Sequence, residues 1–134
     1  MKQHLSIITL GVRDLDRAKR FYTEGLGWTV TAEENNWVSF KFGDGSSALA
    51  LYPWNGLAED ANVPADAAGF RGVTLAYGVG SEKRVDEVLA EAVGDGGTLV
   101  KSAQPTPWGG YNGYFADPDG HLWEVVKLDN FRAE

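Results

Sequence analysis

Residues 10–28 read LGVRDLDRAKRFYTEGLGW, and the periodicity of apolar residues changes within this stretch. The residues from Leu5 to Val12 are mostly β-branched or aliphatic, which is typical of a strand. Asp14 then offers a good helix N-cap, and Gly25 and Gly27 favour a helix end. The apolar residues between them recur at helical spacing: Leu15, Ala18, Phe21 and Tyr22. The stretch therefore predicts a strand that runs directly into a helix.

Three short strands are predicted after this helix: Trp28 to Ala32, Trp37 to Phe42 and Ala48 to Tyr52. The last two are joined by GDGS at residues 43–46, which is a strong hairpin signal. Residues Pro53 to Phe70 contain two Pro, several Ala and Asp, and little periodicity, so we expect a linker there. One strand, one helix and three strands make up a βαβββ unit.

The same order of elements begins again after the linker. Gly72 to Tyr77 predicts a strand, and Ser81 is a suitable cap for a helix. This second helix carries an apolar stripe: Val85, Val88, Leu89 and Ala92. Three further strands are predicted at Thr98 to Ser102, Gly113 to Phe115 and Leu122 to Leu128, the last pair joined by the turn ADPDGH.

Two copies of one βαβββ unit predict an α+β fold within a single domain. We place unit one at residues 5–54, the linker at 53–71 and unit two at 72–128. Each unit is expected to form a curved mixed sheet with one helix on its back. A cleft between the free faces of the two sheets is then the candidate site.

Composition and charge exclude several classes of function. A chain of 134 residues without Cys has no disulfides and no thiolate metal sites, and it can bury one core. It shows neither a leader-like segment nor a spanning apolar run, so we expect a cytoplasmic protein with no membrane partner. The net charge of −7 and the scattered basic residues argue against nucleic acid. The 16 aromatic residues are explained either by core and interface packing or by an aromatic-walled pocket.

Two stretches resemble the sequence signatures of the vicinal oxygen chelate family, which includes glyoxalases, bleomycin-resistance proteins and extradiol dioxygenases. Residues 10–28 resemble the opening signature DL…A/S…FY…LG, and YFADPDGHLWEV at residues 114–125 resembles the closing signature DPDG…E. The signatures occur in the family's order and near the two ends of the chain. The resemblance implies the paired βαβββ fold, and it also implies a homodimer.

The resemblance further implies where metal-dependent relatives hold a divalent ion, with one His, Gln or Glu from the first and last strand of each unit. In this chain the four positions are Ile7, Ala50, Gly72 and Glu124. Only Glu124 could bind an ion, and a catalytic site needs about three protein ligands. His4 and His121 are three residues from Ile7 and Glu124, which predicts the opposite sheet face, and we expect His121 to be an exposed turn residue.

We therefore predict no metal and no other cofactor. Glyoxalase-type isomerisation, extradiol ring cleavage and thiol transfer to fosfomycin use the metal to polarise substrate oxygens, so its loss argues against all three. The sequence contains no Cys nucleophile, no GxSxG, and no GxGxxG in a strand-to-helix setting. The resemblance then implies one of two functions. The protein either binds a flat aromatic compound between aromatic side chains or carries out acid–base chemistry without a metal.

Strand parity predicts which residues face the cleft. Ala50 and Glu124 should face it, together with residues an even number of positions away: Ala48, Tyr52, Thr74, Ala76, Leu122 and Val126. Pairing across the GDGS turn would add Phe40 to this face, although a slip of one residue in register would reverse it. We also include Trp54, directly after the strand, among the candidate ligand-binding residues.

The segment PTPWGGYNGY, residues 105–114, predicts a lid. Its two Pro stiffen the chain and its three Gly let the backbone move. It carries three aromatic anchors, Trp108, Tyr111 and Tyr114, and similar segments line the ligand groove in bleomycin-resistance relatives. The alternative is that Trp108 and Tyr111 pack at a subunit interface.

Glu124 is the candidate catalytic residue. A carboxylate in an aromatic-walled cleft would lose water, which suits a general acid or base. The alternatives are an ion pair with Lys41, Arg71 or Lys127, or a bond to a ligand amine. Three hypotheses follow: a metal-independent protein that binds an aromatic or drug-like small molecule, a metal-free lyase or isomerase that uses Glu124, and a metal enzyme with displaced ligands.

Overall fold

A computed structural model describes residues 1–66, 69–71, 73–130 and 133–134. The chain divides into two compact units, Met1–Gly69 and Phe70–Glu134. The first contains β1 (Ile7–Val12), α1 (Leu15–Arg20), β2 (Ala32–Glu34), β3 (Trp37–Lys41), β4 (Ala48–Pro53) and α2 (Trp54–Asp60). The second contains β5 (Leu75–Val79), α3 (Glu82–Gly94), β6 (Thr98–Pro105), β7 (Tyr111–Ala116) and β8 (Leu122–Lys127).

The two sheets have the same topology. Their strand orders are β1-β4-β3-β2 and β5-β8-β7-β6. In each sheet the first strand pairs in parallel with the last, and the other pairs are antiparallel. The α+β fold of two βαβββ units, predicted from the sequence, is confirmed.

The core of the first unit lies between its sheet and α1. The Asp14 carboxylate accepts a hydrogen bond of 3.0 Å from the Arg17 backbone N–H, which caps α1 as predicted. The helix continues into a π-helical turn at Phe21–Gly25, where Phe21 and Tyr22 are buried. The Tyr22 ring packs against Phe40 of β3 at 5.9 Å between centroids. Phe40 therefore marks the face of the first sheet that α1 covers, and we call the opposite face its distal face.

The prediction that Phe40 shares a face with Ala50 is wrong. The GDGS hairpin closes with the Phe42 backbone N–H donating to the carbonyl of Ser47 at 2.9 Å, which pairs Phe40 with Leu49. The strand register differs by one residue from the one expected, so Phe40 lies on the opposite face from Ala50. Phe40 is 2% exposed and contacts Tyr22 and Trp28, so it belongs to the core rather than to a ligand site.

The core of the second unit lies between its sheet and α3. The Ser81 hydroxyl accepts from the Arg84 backbone N–H at 3.1 Å, and the predicted stripe is buried at Val85, Val88, Leu89 and Ala92. Gly113 of β7 lies directly beneath Leu89, because a Cβ at Gly113 would come within 2.5 Å of that side chain. The rings of Phe115 and Trp123 stack at 6.2 Å, and both residues share the face of Gly113. The face turned away from α3 is the distal face of the second sheet.

Two predicted segments differ from the structure. Residues 54–60 form α2 rather than part of a linker, held by a 2.7 Å hydrogen bond from the Trp54 indole to the carbonyl of Ala65. Gly11 permits this, since a side chain there would meet Trp54 at 3.4 Å. Strand β2 begins at Ala32 rather than Trp28, because the Trp28 N–H still bonds to the carbonyl of Tyr22 at the end of the helix.

No helix in the described part of the chain is long and apolar enough to span a membrane.

Candidate functional site

Glu124 lies on the distal face of the second sheet. It is half-buried, opposite Ala76 of β5 and Tyr114 of β7. Leu122 and Val126 share its face by alternation along β8, as strand parity predicted. Thr74 is exposed and precedes β5 by one residue. This face therefore brings together Glu124, Tyr114 and several apolar side chains.

Asn112 is the member of this face that sequence reasoning missed. It lies two residues before Tyr114 on β7, so it points to the same side. Its Nδ2 donates to Glu124 Oε1 at 2.6 Å, and the residue is 6% exposed. Its Oδ1 is buried and accepts no hydrogen bond from any of the described residues. The alternation of Asn112, Tyr114 and Ala116 along one strand was the signal that could have found it.

The Tyr114 hydroxyl stays protonated beside Glu124. Burial raises the pKa of Tyr114 above 10.0, and the negative charge of Glu124 and hydrogen bonding to it raise it further. At neutral pH the phenol therefore keeps its proton, opposite the carboxylate across β7 and β8. The donor within hydrogen-bond distance of Glu124 is the Asn112 amide.

The cations considered as partners of Glu124 are engaged elsewhere or do not reach it. Lys127 Nζ lies 3.8 Å from the carboxylate of Glu82, and Arg71 Nη2 lies 3.1 Å from His121 Nδ1. Across the ranges that the structure describes, no Lys or Arg forms an ion pair with Glu124. The hydrogen-bond donor to the carboxylate is a neutral amide, that of Asn112.

Asp117, the first residue of the DPDG turn, helps to determine where Glu124 lies. The buried Asp117 carboxylate accepts from the backbone N–H groups of Asp119 and His121, both at 2.9 Å. His121 is half-buried and contacts Arg71, so it is not simply an exposed turn residue. The turn sets where β8 begins, and the alternation of β8 then places Glu124 on the distal face.

The distal face of the first sheet is less polar. Ala50 is fully buried between Thr9 of β1 and Ser39 of β3. Tyr52 lies on the same face, with its ring against Gly56 of α2. Trp54 is held within its own unit by the bond to Ala65 and by the Arg13 guanidinium, 4.2 Å above its ring. Tyr52 and Trp54 therefore serve first to fix α2 on the sheet.

The residues at the family's metal positions do not fit a divalent ion. Ile7 lies opposite Ala48 and is 48% exposed, and Ala50 is buried. Gly72 lies outside the described residues. Glu124 already accepts a hydrogen bond from Asn112. Within the described ranges no three His, Asp or Glu residues lie together in a group that could hold an ion, so no displaced ligand set is found there either.

The predicted lid is largely a regular hairpin. β6 and β7 take up both ends of residues 105–114, and the Thr106 hydroxyl accepts from the Gly110 N–H at 2.8 Å across the turn. Trp108 is 62% exposed at the tip, with its ring over Gly110. Tyr111 faces α3, where its hydroxyl donates to Asp86 at 2.9 Å. Of the three aromatic anchors, Tyr114 lies opposite Glu124 and Tyr111 faces α3, and a lid at this hairpin stays a prediction.

Comparison with known proteins adds an independent line of evidence. A glyoxalase-related enzyme from Fulvimarina pelagi is 35% identical, with a TM-score of 0.83 and with 95% of this chain and 89% of that chain covered. A lactoylglutathione lyase from Agrobacterium tumefaciens shares the fold at 24% identity, with a TM-score of 0.71 and 98% of each chain covered. None of the curated proteins shows significant similarity to this sequence. Residues 4–125 match the family model described as Glyoxalase/Bleomycin resistance protein/Dioxygenase superfamily. The chain therefore belongs to the glyoxalase/bleomycin resistance protein/dioxygenase superfamily, as its two signatures predicted.

Proposed function

We propose that this protein binds a small organic molecule and does so without a resident divalent ion. One observation carries the proposal: the positions that hold metal ligands in other members are apolar at Ile7 and Ala50, while Glu124 is hydrogen-bonded to Asn112. A carboxylate held in this way is arranged to contact a ligand directly. Metal independence stays a prediction that requires a measurement on the purified protein.

The composition of the distal face of the second sheet supports an aromatic ligand. Tyr114 presents a ring and a hydroxyl, and the half-buried Leu122 adds apolar surface beside Glu124. Sites for small molecules combine mostly apolar walls with a few directed polar groups. A flat ring could contact Tyr114 while its polar substituent reaches Glu124.

A ligand screen tests the proposed function. We expect at least one compound from a library of small aromatics to raise the melting temperature in the presence of a chelator, with the same affinity as without it. Tyr114→Leu should weaken that compound about tenfold, because an aromatic contact contributes about 1.5 kcal/mol at most beyond area burial. Tyr111→Leu is the matched control, since Tyr111 faces α3. Binding that appears only after a divalent ion is added would contradict the proposal.

A metal-independent enzyme is the second candidate. It is favoured by the pairing of a carboxylate acceptor, Glu124, with a protonated donor, Tyr114, on one face. For any compound that the screen shows to be turned over, Glu124→Gln should abolish turnover and leave binding within a few-fold. Turnover that survives this substitution would rule out Glu124 as the general acid or base.

We also propose that the protein is a homodimer. Its support is the exposure of apolar side chains in the β6–β7 hairpin, where Leu99 is 46%, Val100 is 52% and Trp108 is 62% exposed. Exposed apolar groups gathered on one element are typical of an interaction surface.

A further inference from the structure

Asn112 destabilises the folded state in a way that an apolar residue at the same position would not. It is 6% exposed, and its Oδ1 is buried without a partner among the described residues. A buried acceptor that loses water and gains nothing destabilises the folded state. The compensating contact is the 2.6 Å hydrogen bond that Nδ2 donates to Glu124.

That hydrogen bond also fixes which way the amide points. Turning the amide over would place Oδ1 against the carboxylate, where two acceptors repel each other. The orientation with Nδ2 toward Glu124 therefore leaves Oδ1 as an acceptor on the distal face. Tyr114 lies opposite the same carboxylate in the register of β7 and β8, so its phenol adds a polar group to this face.

The resulting cluster of Asn112, Tyr114 and Glu124 has spare acceptors and one full negative charge. No ion pair neutralises Glu124 within the described ranges, and the whole chain carries a net charge of −7. A carboxylate or phosphate on a ligand would be repelled here. A planar cation with several N–H groups would instead match the acceptors in charge and in geometry.

Resting on the proposed function, we infer that Glu124 recognises a cationic N–H donor group of the ligand, of the amidinium, guanidinium or amino-heterocycle class, and that Asn112 is its positioning residue. Asn112 holds the carboxylate on the distal face. Its Oδ1, which has no partner among the described residues, is the second acceptor for that group.

Three isosteric fragments test the charge preference: benzamidine, benzamide and benzoate. Each is titrated into ¹⁵N-labelled protein in the presence of a chelator, and the Asn112 side-chain amide and the backbone amides of Tyr114 and Glu124 are followed by NMR. We expect benzamidine to bind about tenfold or more tightly than benzoate, as one charge-assisted hydrogen bond permits. Its chemical shift changes should centre on β7 and β8.

Two substitutions each remove one negative charge. Comparing them separates a direct contact between Glu124 and the ligand from the effect of the protein's net charge. Glu124→Gln should weaken benzamidine about tenfold and leave benzamide within a few-fold. Glu59→Gln removes the same charge from an exposed position on α2 and should leave both fragments unchanged. Equal losses in the two variants, or benzoate binding as tightly as benzamidine, would overturn the inference and leave small-molecule binding standing. A requirement for an added divalent ion would overturn the proposed function, and the inference with it.

Asn112→Leu tests the positioning role, because leucine has a similar size and no polar atoms. We expect the preference for benzamidine over benzoate to shrink several-fold in protein that is still folded, since leucine cannot hold the carboxylate on the distal face. A merely structural amide would leave the preference unchanged and alter only the melting temperature.

Discussion

At the level of single residues, the hydrogen bond between Asn112 and Glu124 is the contact on which both proposals depend. Its length of 2.6 Å is that of a charge-assisted bond, a class that contributes about 1.5–3 kcal/mol. Tyr114 lies opposite the same carboxylate, and burial is the largest reason that its pKa is raised. Removing the charge of Glu124 should therefore be visible at Tyr114.

We predict that Glu124→Gln lowers the pKa of Tyr114 relative to the unmodified protein. The negative charge of Glu124 disfavours tyrosinate, so its loss eases deprotonation, while burial keeps the pKa above 10.0. The measurement is a pH titration of ¹³C-labelled tyrosine rings by NMR. Tyr111 is the internal control, because its pKa is raised by the hydrogen bond to Asp86. An unchanged Tyr114, or equal changes at both tyrosines, would contradict the proximity of Tyr114 to Glu124.

Residue placement followed from the sequence wherever alternation alone decided it. Parity placed Ala76 and Glu124 on one face, and the register confirms this. Phe40 was misplaced because its face depends on how the GDGS hairpin closes, and composition does not fix a register to one residue. Asn112 was passed over because an amide carries no family signature, although it alternates with Tyr114 on the same strand.

Among the secondary-structure elements, the β6–β7 hairpin is the most tightly constrained around the site. Gly113 lies where β6 departs from regular register, between Lys101 and Gln104. A Cβ there would come within 2.9 Å of the backbone at Lys101 and Ala103 and within 2.5 Å of Leu89. The close approach of α3, β6 and β7 therefore requires glycine.

We predict that Gly113→Ala lowers the free energy of unfolding by about 1–3 kcal/mol, because backbone atoms of β6 must move to admit the methyl group. Chemical denaturation measures this value. Gly94→Ala, in α3 with nothing within 4 Å of the new Cβ, is the matched substitution. It should leave the free energy unchanged or raise it by up to about 1 kcal/mol. Equal effects of the two substitutions would refute this packing.

The elements that the sequence predicted are those with local start and stop signals. Asp14 and Ser81 cap their helices through side-chain oxygens, as expected. Helix α2 was missed because its support is not local: the Trp54 indole bonds to Ala65, eleven residues away, and Gly11 of another strand makes room for it. A segment stabilised by such contacts shows little periodicity of its own.

For the whole molecule, the two signatures identify the fold more readily than the function. Their key residues are structural, since Asp14 caps α1 and the Asp117 carboxylate closes the DPDG turn. Glu124 and Tyr114 lie in the closing stretch at residues 114–125 and belong to the candidate site, whereas Asn112, the partner of Glu124, lies outside both stretches. The family could therefore be predicted from the sequence, while the ligand also depends on Asn112, to which no signature refers.

The proposed homodimer predicts a particle of about twice the 14.5 kDa chain mass. Light scattering coupled to size exclusion measures this mass directly. If the β6–β7 hairpin contributes, Trp108→Ser should raise the dimer dissociation constant, because Trp108 is 62% exposed in the single chain. Asn36→Ser, in an exposed turn of the other unit, should not change it. A single-chain mass at high protein concentration would contradict the dimer.

Metal content is the most direct test of the central claim, that small-molecule binding here needs no resident ion. Elemental analysis should be made on protein purified without an affinity tag, together with tryptophan fluorescence during cobalt and nickel titration. We expect far less than one divalent ion per chain and no fluorescence response, since the apolar side chains of Ile7 and Ala50 have no atoms that bind a divalent ion. About one tightly held ion per chain would contradict the claim, because a bound ion needs about three protein ligands and Glu124 alone cannot supply them.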